Sequence, residues 1–225
     1  MGRIRLDLHV HSHHSPDSSL PVSTIVNSLG ARGLNGFALT DHNSVAGHAE
    51  LAECQRKFPD LLLVPGVEVS TLEGHLLVYG VHEAPPTGRP VAETIAWAGA
   101  HEGIPVLAHP FRLSHGVGHA VAKVAAVPAI ETVNGHNAPR ANRRAAAMAA
   151  DRKLGTTGGS DVHDLADLGR AYTEFPEETS TLDETLRALR SGRTLGSGRT
   201  LDFLGRVRTE WRTVALRFRR GLRPI

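Results

Sequence analysis

The stretch Ile4-Arg5-Leu6-Asp7-Leu8-His9-Val10-His11 reads as a short β-strand that ends in two histidines. Residues two apart on a strand point to one side, so both imidazoles can face a single ion. Alone the motif says little. Fourteen histidines in 225 residues give roughly one His-x-His by chance, and His11-Ser12-His13 is a second, overlapping one. The weight comes from recurrence of such residues at the ends of later strands.

Short apolar, β-branched runs alternate with amphipathic stretches. Strands are expected at 4–8, 36–40, 61–64 continuing to 69, 75–81, 104–108, 129–133 and 155–160, with helices at 22–32, 44–58, 91–102, 138–153 and 182–190. Pro21, Gly33, Pro90, Gly103 and Gly192 punctuate the ends, as helix breakers and turn formers do. Strand–helix alternation predicts an α/β protein with a mostly parallel sheet and helices outside it. Seven strands in so short a chain predict a small, closed or nearly closed barrel; an open doubly wound sheet is the alternative.

Potential ligands recur at the strand ends. The second strand ends in Thr40-Asp41-His42, and the third carries Glu68 inside Gly66-Val67-Glu68-Val69-Ser70. The fourth opens at His75, the fifth ends in His109-Pro110, and the last ends in Ser160-Asp161-Val162-His163. One rim therefore collects imidazoles and carboxylates, and that rim is where barrel enzymes build their sites. Surface histidines have no reason to choose those positions. Nine candidates, His9, His11, Asp17, His42, Glu68, His75, His109, Asp161 and His163, are too many for one ion. Two or three divalent ions sharing carboxylates would use them all, and imidazole with carboxylate suits Zn, Mn or Fe. Asp41 is expected to orient a ligand from behind. Such clusters serve phosphoryl transfer.

These residues resemble the PHP domain, the family named for polymerases and histidinol phosphatase. The likeness rests on His9-Val10-His11 with Asp17, on Thr40-Asp41-His42, on His109-Pro110 and on Ser160-Asp161-Val162-His163, with Glu68 and His75 between them. It runs from Asp7 to His163. It implies a distorted seven-stranded, TIM-like β/α barrel with up to three metal ions and phosphoesterase chemistry. It also implies one ion on His9, His11, Glu68 and Asp161, a second on Glu68, His75 and His109, and a third on Asp17, His42 and His163. Asp161, His109 and Glu68 are the residues on which turnover would depend. Ser15-Pro16-Asp17-Ser18 departs from the family's Ser-Asp-Gly by an inserted proline, which moves the aspartate one place.

Phosphate is recognised by planar guanidinium groups. Arg112, in the loop after His109-Pro110, is the expected phosphate contact. Arg140 and Arg143, after the Asn134-Gly135-His136-Asn137 loop, are candidates that fit a solvated helix face equally well. His13 and His115 are read mainly as surface residues, and the loop positions of His13, His115 and His136 leave substrate contact as the lesser alternative. The expected activity is hydrolysis of a phosphomonoester or small phosphodiester, of a nucleotide or phosphorylated metabolite, by a metal-activated hydroxide. No side-chain nucleophile stands out, so no covalent intermediate is expected. The alternatives are a nuclease acting on oligonucleotide ends and a non-catalytic, metal-stabilised interaction module. Aromatics at 4% give a nucleic-acid groove modest support, since single strands are held by stacking.

Composition excludes other classes. Forty per cent hydrophobic residues favour an ordered core. No run is apolar enough to span a bilayer, and the first residues lack the core of a secretion signal. Cys54, the only cysteine, precludes an internal disulfide, so a reducing, cytoplasmic location is expected. The catalytic domain is expected at 1–200 and a basic amphipathic helix at 201–225. In that tail Phe203, Val207, Trp211, Val214, Phe218 and Leu222 form one apolar face among Arg206, Arg208, Arg212, Arg217, Arg219, Arg220 and Arg223. The stripe is read as packing on the barrel or on a second subunit as a homo-oligomer. An anionic membrane surface or nucleic acid is the alternative. All candidate ligands precede it, so the tail is expected to be dispensable for chemistry.

Overall fold

The computed structural model describes residues 3–221. The strands are β1 (Ile4–Val10), β2 (Gly36–Leu39), β3 (Leu62–Ser70), β4 (His75–Tyr79), β5 (Ile104–Leu107), β6 (Ala129–Asn134), β7 (Gly155–Gly159), β8 (Ala171–Phe175) and β9 (Leu195–Gly198). The helices are α1 (Val22–Ser28), α2 (His48–Lys57), α3 (Val91–Ala100), α4 (Gly118–Val124), α5 (Pro139–Arg152), α6 (Leu182–Arg190) and α7 (Phe203–Arg219). One sheet takes the strands in the order β7-β6-β5-β4-β3-β2-β1-β8-β9.

The sheet nearly closes where β7 returns to β1. Asp161 N donates to His9 O at 2.8 Å, and Val10 pairs with Val162 in a parallel bridge. Gly159 makes the approach feasible: a Cβ there would lie 2.2 Å from the Cβ of His9. Leu6, Leu8, Val64, Leu77, Val106 and Ala129 fill the barrel. The capping-box helix α6 adds Ala188 and Leu189 to that core and sets Leu186 against Gly80, past the end of β4 opposite His75. Outside, α1 and α2 pack on β1 and β2, and α3, α4 and α5 pack on β3 to β6.

Two expectations are corrected. Nine strands replace seven, because β8 pairs antiparallel to β1 and β9 pairs antiparallel to β8. The sheet is not mostly parallel: β4 runs against both neighbours, so antiparallel pairings equal parallel ones in number. The segment Leu195-Gly196-Ser197-Gly198 has no strand propensity; its pairing with β8 makes it a strand, and tertiary context overrides propensity. In the tail, Phe203, Val207, Trp211, Val214 and Phe218 are exposed, and Val207 and Val214 also line a cavity. Leu222 and Arg223 lie outside the described residues.

Candidate metal centre

All nine candidate ligands stand at one rim. His9 lies in β1, with His11 and Asp17 following it; Glu68 lies in β3, and His42, His109, Asp161 and His163 follow β2, β5 and β7. His75 opens its strand rather than ending it because β4 is antiparallel to β3 and β5, so its first residue shares the rim with their last. A bulge aims β1. Asp7 pairs with Phe37 but Val10 pairs with Leu39, one extra residue in β1. Leu8 therefore packs in the barrel core while its neighbour His9 still reaches Glu68 and Glu131.

Glu68 is the hub. Its Oε1 lies 2.9 Å from His75 Nδ1 and 3.0 Å from His109 Nε2. Its Oε2 lies 3.1 Å from His9 Nε2, 3.3 Å from His11 Nε2 and 3.2 Å from His42 Nδ1. Asp161 Oδ1 stands 3.3 Å from His11 Nε2. Asp17 Oδ2 meets His163 Nε2 at 2.9 Å and His42 Nε2 at 3.1 Å, so the inserted Pro16 leaves this carboxylate at the centre, 2% exposed. The donors fall into overlapping sets: His9, His11 and Asp161; His9, Glu68 and His109; His42, Glu68 and His75; and His11, Asp17, His42 and His163. Each implied set has its members side by side, with His75 and His109 on one oxygen of Glu68 and His42 and His163 on one oxygen of Asp17; His42 also stands near Glu68.

Outer groups orient these candidate ligands, as partners of metal-binding histidines do. His9 Nδ1 and Glu131 Oε1 are 2.9 Å apart, and His109 N donates to Glu131 Oε2 at 2.7 Å. Asp41 accepts from Ser12 N and Oγ at 2.6 and 2.7 Å. Asp7 accepts from the backbone N–H groups of Ser160 at 2.8 Å and Gly169 at 3.0 Å. Glu131, Asn134 and Asp7 were not legible as site residues, because only the closed barrel brings them under the rim.

The donor chemistry fits an ion cluster. His9 Nε2, His11 Nε2 and His42 Nδ1 are buried without a hydrogen bond, although carboxylate oxygens lie within 3.3 Å of each. Nitrogens and oxygens facing a shared point rather than each other are what a common cation requires, whereas unsatisfied buried polar atoms otherwise cost free energy. Burial opposes charge on Glu68, yet the imidazoles of His9, His42 and His75 hold its carboxyl well below the usual range. Burial also opposes Asp161, and Arg112 with His9 holds it ionised. Burial drops His11 to about 4, and burial with the Arg112 charge drops His109 to about 3, leaving both neutral as ligands must be. His163 goes the other way: burial would lower it, but Asp17 and Asp161 lift it to about 9. His109 and Asp161 also hold left-handed φ values of 26° and 59°, a strain that non-glycine residues retain at functional sites.

A cavity of about 700 Å³ opens on the centre. Arg112 lines it and is clamped: Nη2 donates to Asp161 Oδ2 at 2.5 Å and Asn134 Oδ1 at 2.7 Å, and Nε donates to Asn137 Oδ1 at 3.0 Å. Arg140 lines the cavity, as do His115 and His136. Arg143 is exposed and outside the lining; Arg144 takes that place, its guanidinium 4.5 Å from the Phe111 ring centre. His13 is also outside the lining. The missed contributor is α7, whose Arg206, Glu210 and Arg217 form a wall. Its N-terminus is capped by Asp202, which accepts from Gly205 N at 2.7 Å. Arg212 pairs with Asp164, and Arg220 donates to the carbonyls of Ser15 and Ser18 at 2.8 Å each.

Comparison with known proteins agrees with this geometry. Residues 7–103 match the PHP domain model and residues 139–194 match the PHP-associated model. A 5′-3′ exoribonuclease of Haemophilus influenzae is 42% identical over 67 residues, 30% of this chain and 24% of that protein. A two-domain protein of Bacteroides vulgatus, described as containing a predicted PHP-like metal-dependent phosphoesterase, superposes with a TM-score of 0.72 at 19% identity, covering 94% of this chain and 70% of that one. Endonuclease Q, solved with a 27-mer duplex carrying an abasic lesion at the active site, gives a TM-score of 0.67 at 18% identity, covering 88% of this chain and 60% of that one.

Proposed function

We propose that this chain, which belongs to the PHP family by its two matched regions, is a metal-dependent phosphoesterase acting on a phosphomonoester or small phosphodiester, of a nucleotide or phosphorylated metabolite. One observation carries the reading: five imidazole nitrogens surround the two oxygens of Glu68 within 3.3 Å, at the floor of an arginine-lined cavity. The nine rim residues would hold two or three divalent ions, with Zn, Mn and Fe each compatible with the donor set. Bound there, such ions neutralise phosphoryl charge and make water a nucleophile near neutral pH.

The chain's own groups do the rest. Arg112, Arg140 and Arg144 line the cavity beside the centre and supply the fixed positive field that a phosphoryl group needs as charge develops. Arg112 is pre-organised by Asn134, Asn137 and Asp161, so binding substrate does not have to order it. Asp161 and Glu68 stay ionised and keep the donor set anionic. Arg206, Glu210 and Arg217 of α7 also line the cavity, which favours a compact substrate over a polymer passing through.

A second reading, trimming of nucleic acid from an end, is favoured by the likeness of a 67-residue stretch to the exoribonuclease and by the arginine lining. A non-catalytic module is disfavoured, because each of the nine rim donors stands at the centre. The test is hydrolysis of an aryl phosphate, its diester and a short oligonucleotide by metal-depleted protein titrated with Zn, Mn and Fe. Metal-dependent turnover of the monoester supports the first reading, and turnover of the oligonucleotide alone supports the second. Metal uptake without any turnover would overturn both.

A further inference from the structure

On the outer side of the same loop, His13, His14 and Glu50 form a cluster that none of the functions above uses. None of the three lines the cavity. His13 and His14 follow β1, and Glu50 stands in the first turn of α2. His13 Nε2 lies 3.2 Å from Glu50 Oε1, and His14 Nε2 lies 2.9 Å from the same oxygen. The two rings are 4.2 Å apart, and the three donor atoms lie within 4.8 Å of one another. Zinc sits about 2.0–2.2 Å from such donors, so ligand atoms around a tetrahedral ion are separated by about 3.3–3.5 Å. The spacing matches that of the deep centre, where His42 and His163 converge on Asp17 Oδ2 at 3.1 and 2.9 Å.

The frame that presents the rings is rigid. His14 N donates to Ser12 Oγ at 3.2 Å, and Ser12 is itself held by Asp41. His13 N donates to Leu20 O at 2.8 Å. A surface ion pair spends side-chain entropy for little return and normally joins one partner to one carboxylate. Two adjacent imidazoles brought onto a single oxygen by a fixed backbone are arranged as a chelate. We propose that His13, His14 and Glu50 bind a borderline divalent ion of the zinc class, with water completing its shell. Side-chain exposures of 36%, 24% and 41% leave that ion in exchange with solvent. By joining the loop to α2 it stiffens residues 12–20, the segment that carries Asp17.

The test is equilibrium dialysis of the full chain against Zn²⁺ with elemental analysis, in parallel with thermal unfolding. Glu50→Ala and His14→Ala should each bind one zinc fewer per chain than the parent, with the weakest step of the titration missing. Their Tm in chelator should equal the parent's, and the rise in Tm on adding zinc should be smaller. Parent-like stoichiometry and titration in both variants would overturn the proposal and leave an ordinary hydrogen-bonded cluster. Loss of every bound zinc, or a lowered Tm in chelator, would also overturn it, because the cluster would then be scaffolding for the deep centre.

Discussion

Glu68 joins five imidazoles through two oxygens, and the chemistry at this scale turns on which nitrogens are neutral. His11 and His109 are, having been pushed to about 4 and about 3. His163, lifted to about 9, is an imidazolium at neutral pH until an ion displaces its proton. Its folded pKa is raised, so low pH favours the protonated, metal-free form, and ligation improves as pH rises toward about 9. Apparent affinity of the centre for Zn²⁺ should therefore increase by up to about tenfold per pH unit above pH 7, levelling off as pH nears about 9, one proton being released on binding. A flat profile in a pH series of metal titrations would remove His163 from the ligand set. Asp161 and His109 are expected to be indispensable: Asp161→Asn, which tolerates the left-handed backbone, and His109→Ala should lower turnover by more than about a hundredfold with Tm little changed. Near-normal turnover in either would take it out of the mechanism. Arg112 both clamps Asp161 and faces the cavity. Arg112→Ala should cost about 1.5–3 kcal/mol of charge-assisted hydrogen bonding, read as roughly a ten- to hundredfold fall in kcat/KM with metal content unchanged. Unchanged kinetics would move the phosphate contact to Arg140 or Arg144.

At the scale of elements, the rim depends on β7 closing against β1. Gly159→Ala would drive a Cβ to 2.2 Å from that of His9. Overpacking of this kind costs about 1–3 kcal/mol, and here the strain falls on a ligand. The variant should show both a lower Tm in chelator and weaker zinc uptake; an unchanged value of both would mean that β7 is free to shift. Most of the strands that carry candidate ligands were legible in the sequence, because they couple an apolar run to a histidine or carboxylate at or near one end. Even His75, which begins its strand, is readable, although its reason, the antiparallel β4, is not. Alternation along β1 puts His9 and His11 on one face, but the bulge between Asp7 and Val10 has no sequence mark. Without it Leu8 and His9 could not both face inward. Glu131 and Asp7 escaped notice for a related reason: each lies inside a strand, and only packing across the barrel brings it beneath a ligand. β9 was illegible because Gly and Ser carry no pattern of their own.

For the whole molecule, the decisive element is α7. Its sequence, apolar residues at spacings of three and four amid arginines, reads as a helix whose stripe lies on something, and the absence of ligands in it reads as independence from the chemistry. The fold sets it instead beside the cavity, where its residues join the lining. Asp202 caps its start, and Arg220 near its end binds carbonyls of the loop that holds Asp17. Thr209 is the residue that α7 itself buries, while Arg206, Glu210 and Arg217 join the cavity lining. No ligand of the centre comes from α7, so a chain ending at Arg199 should keep its metal stoichiometry. It should lose substrate contacts and one wall, so KM for a small phosphate ester should rise several-fold while kcat, set by the ions and Arg112, falls less. The opened cavity should also admit longer oligonucleotides, raising their turnover relative to the monoester. Steady-state kinetics of the parent and the truncated chain on both substrates, with metal content measured alongside, check all three outcomes. Equal KM values would mean that α7 only shields the cavity from solvent, whereas loss of metal would mean that Arg220 is needed to hold the Asp17 loop in place.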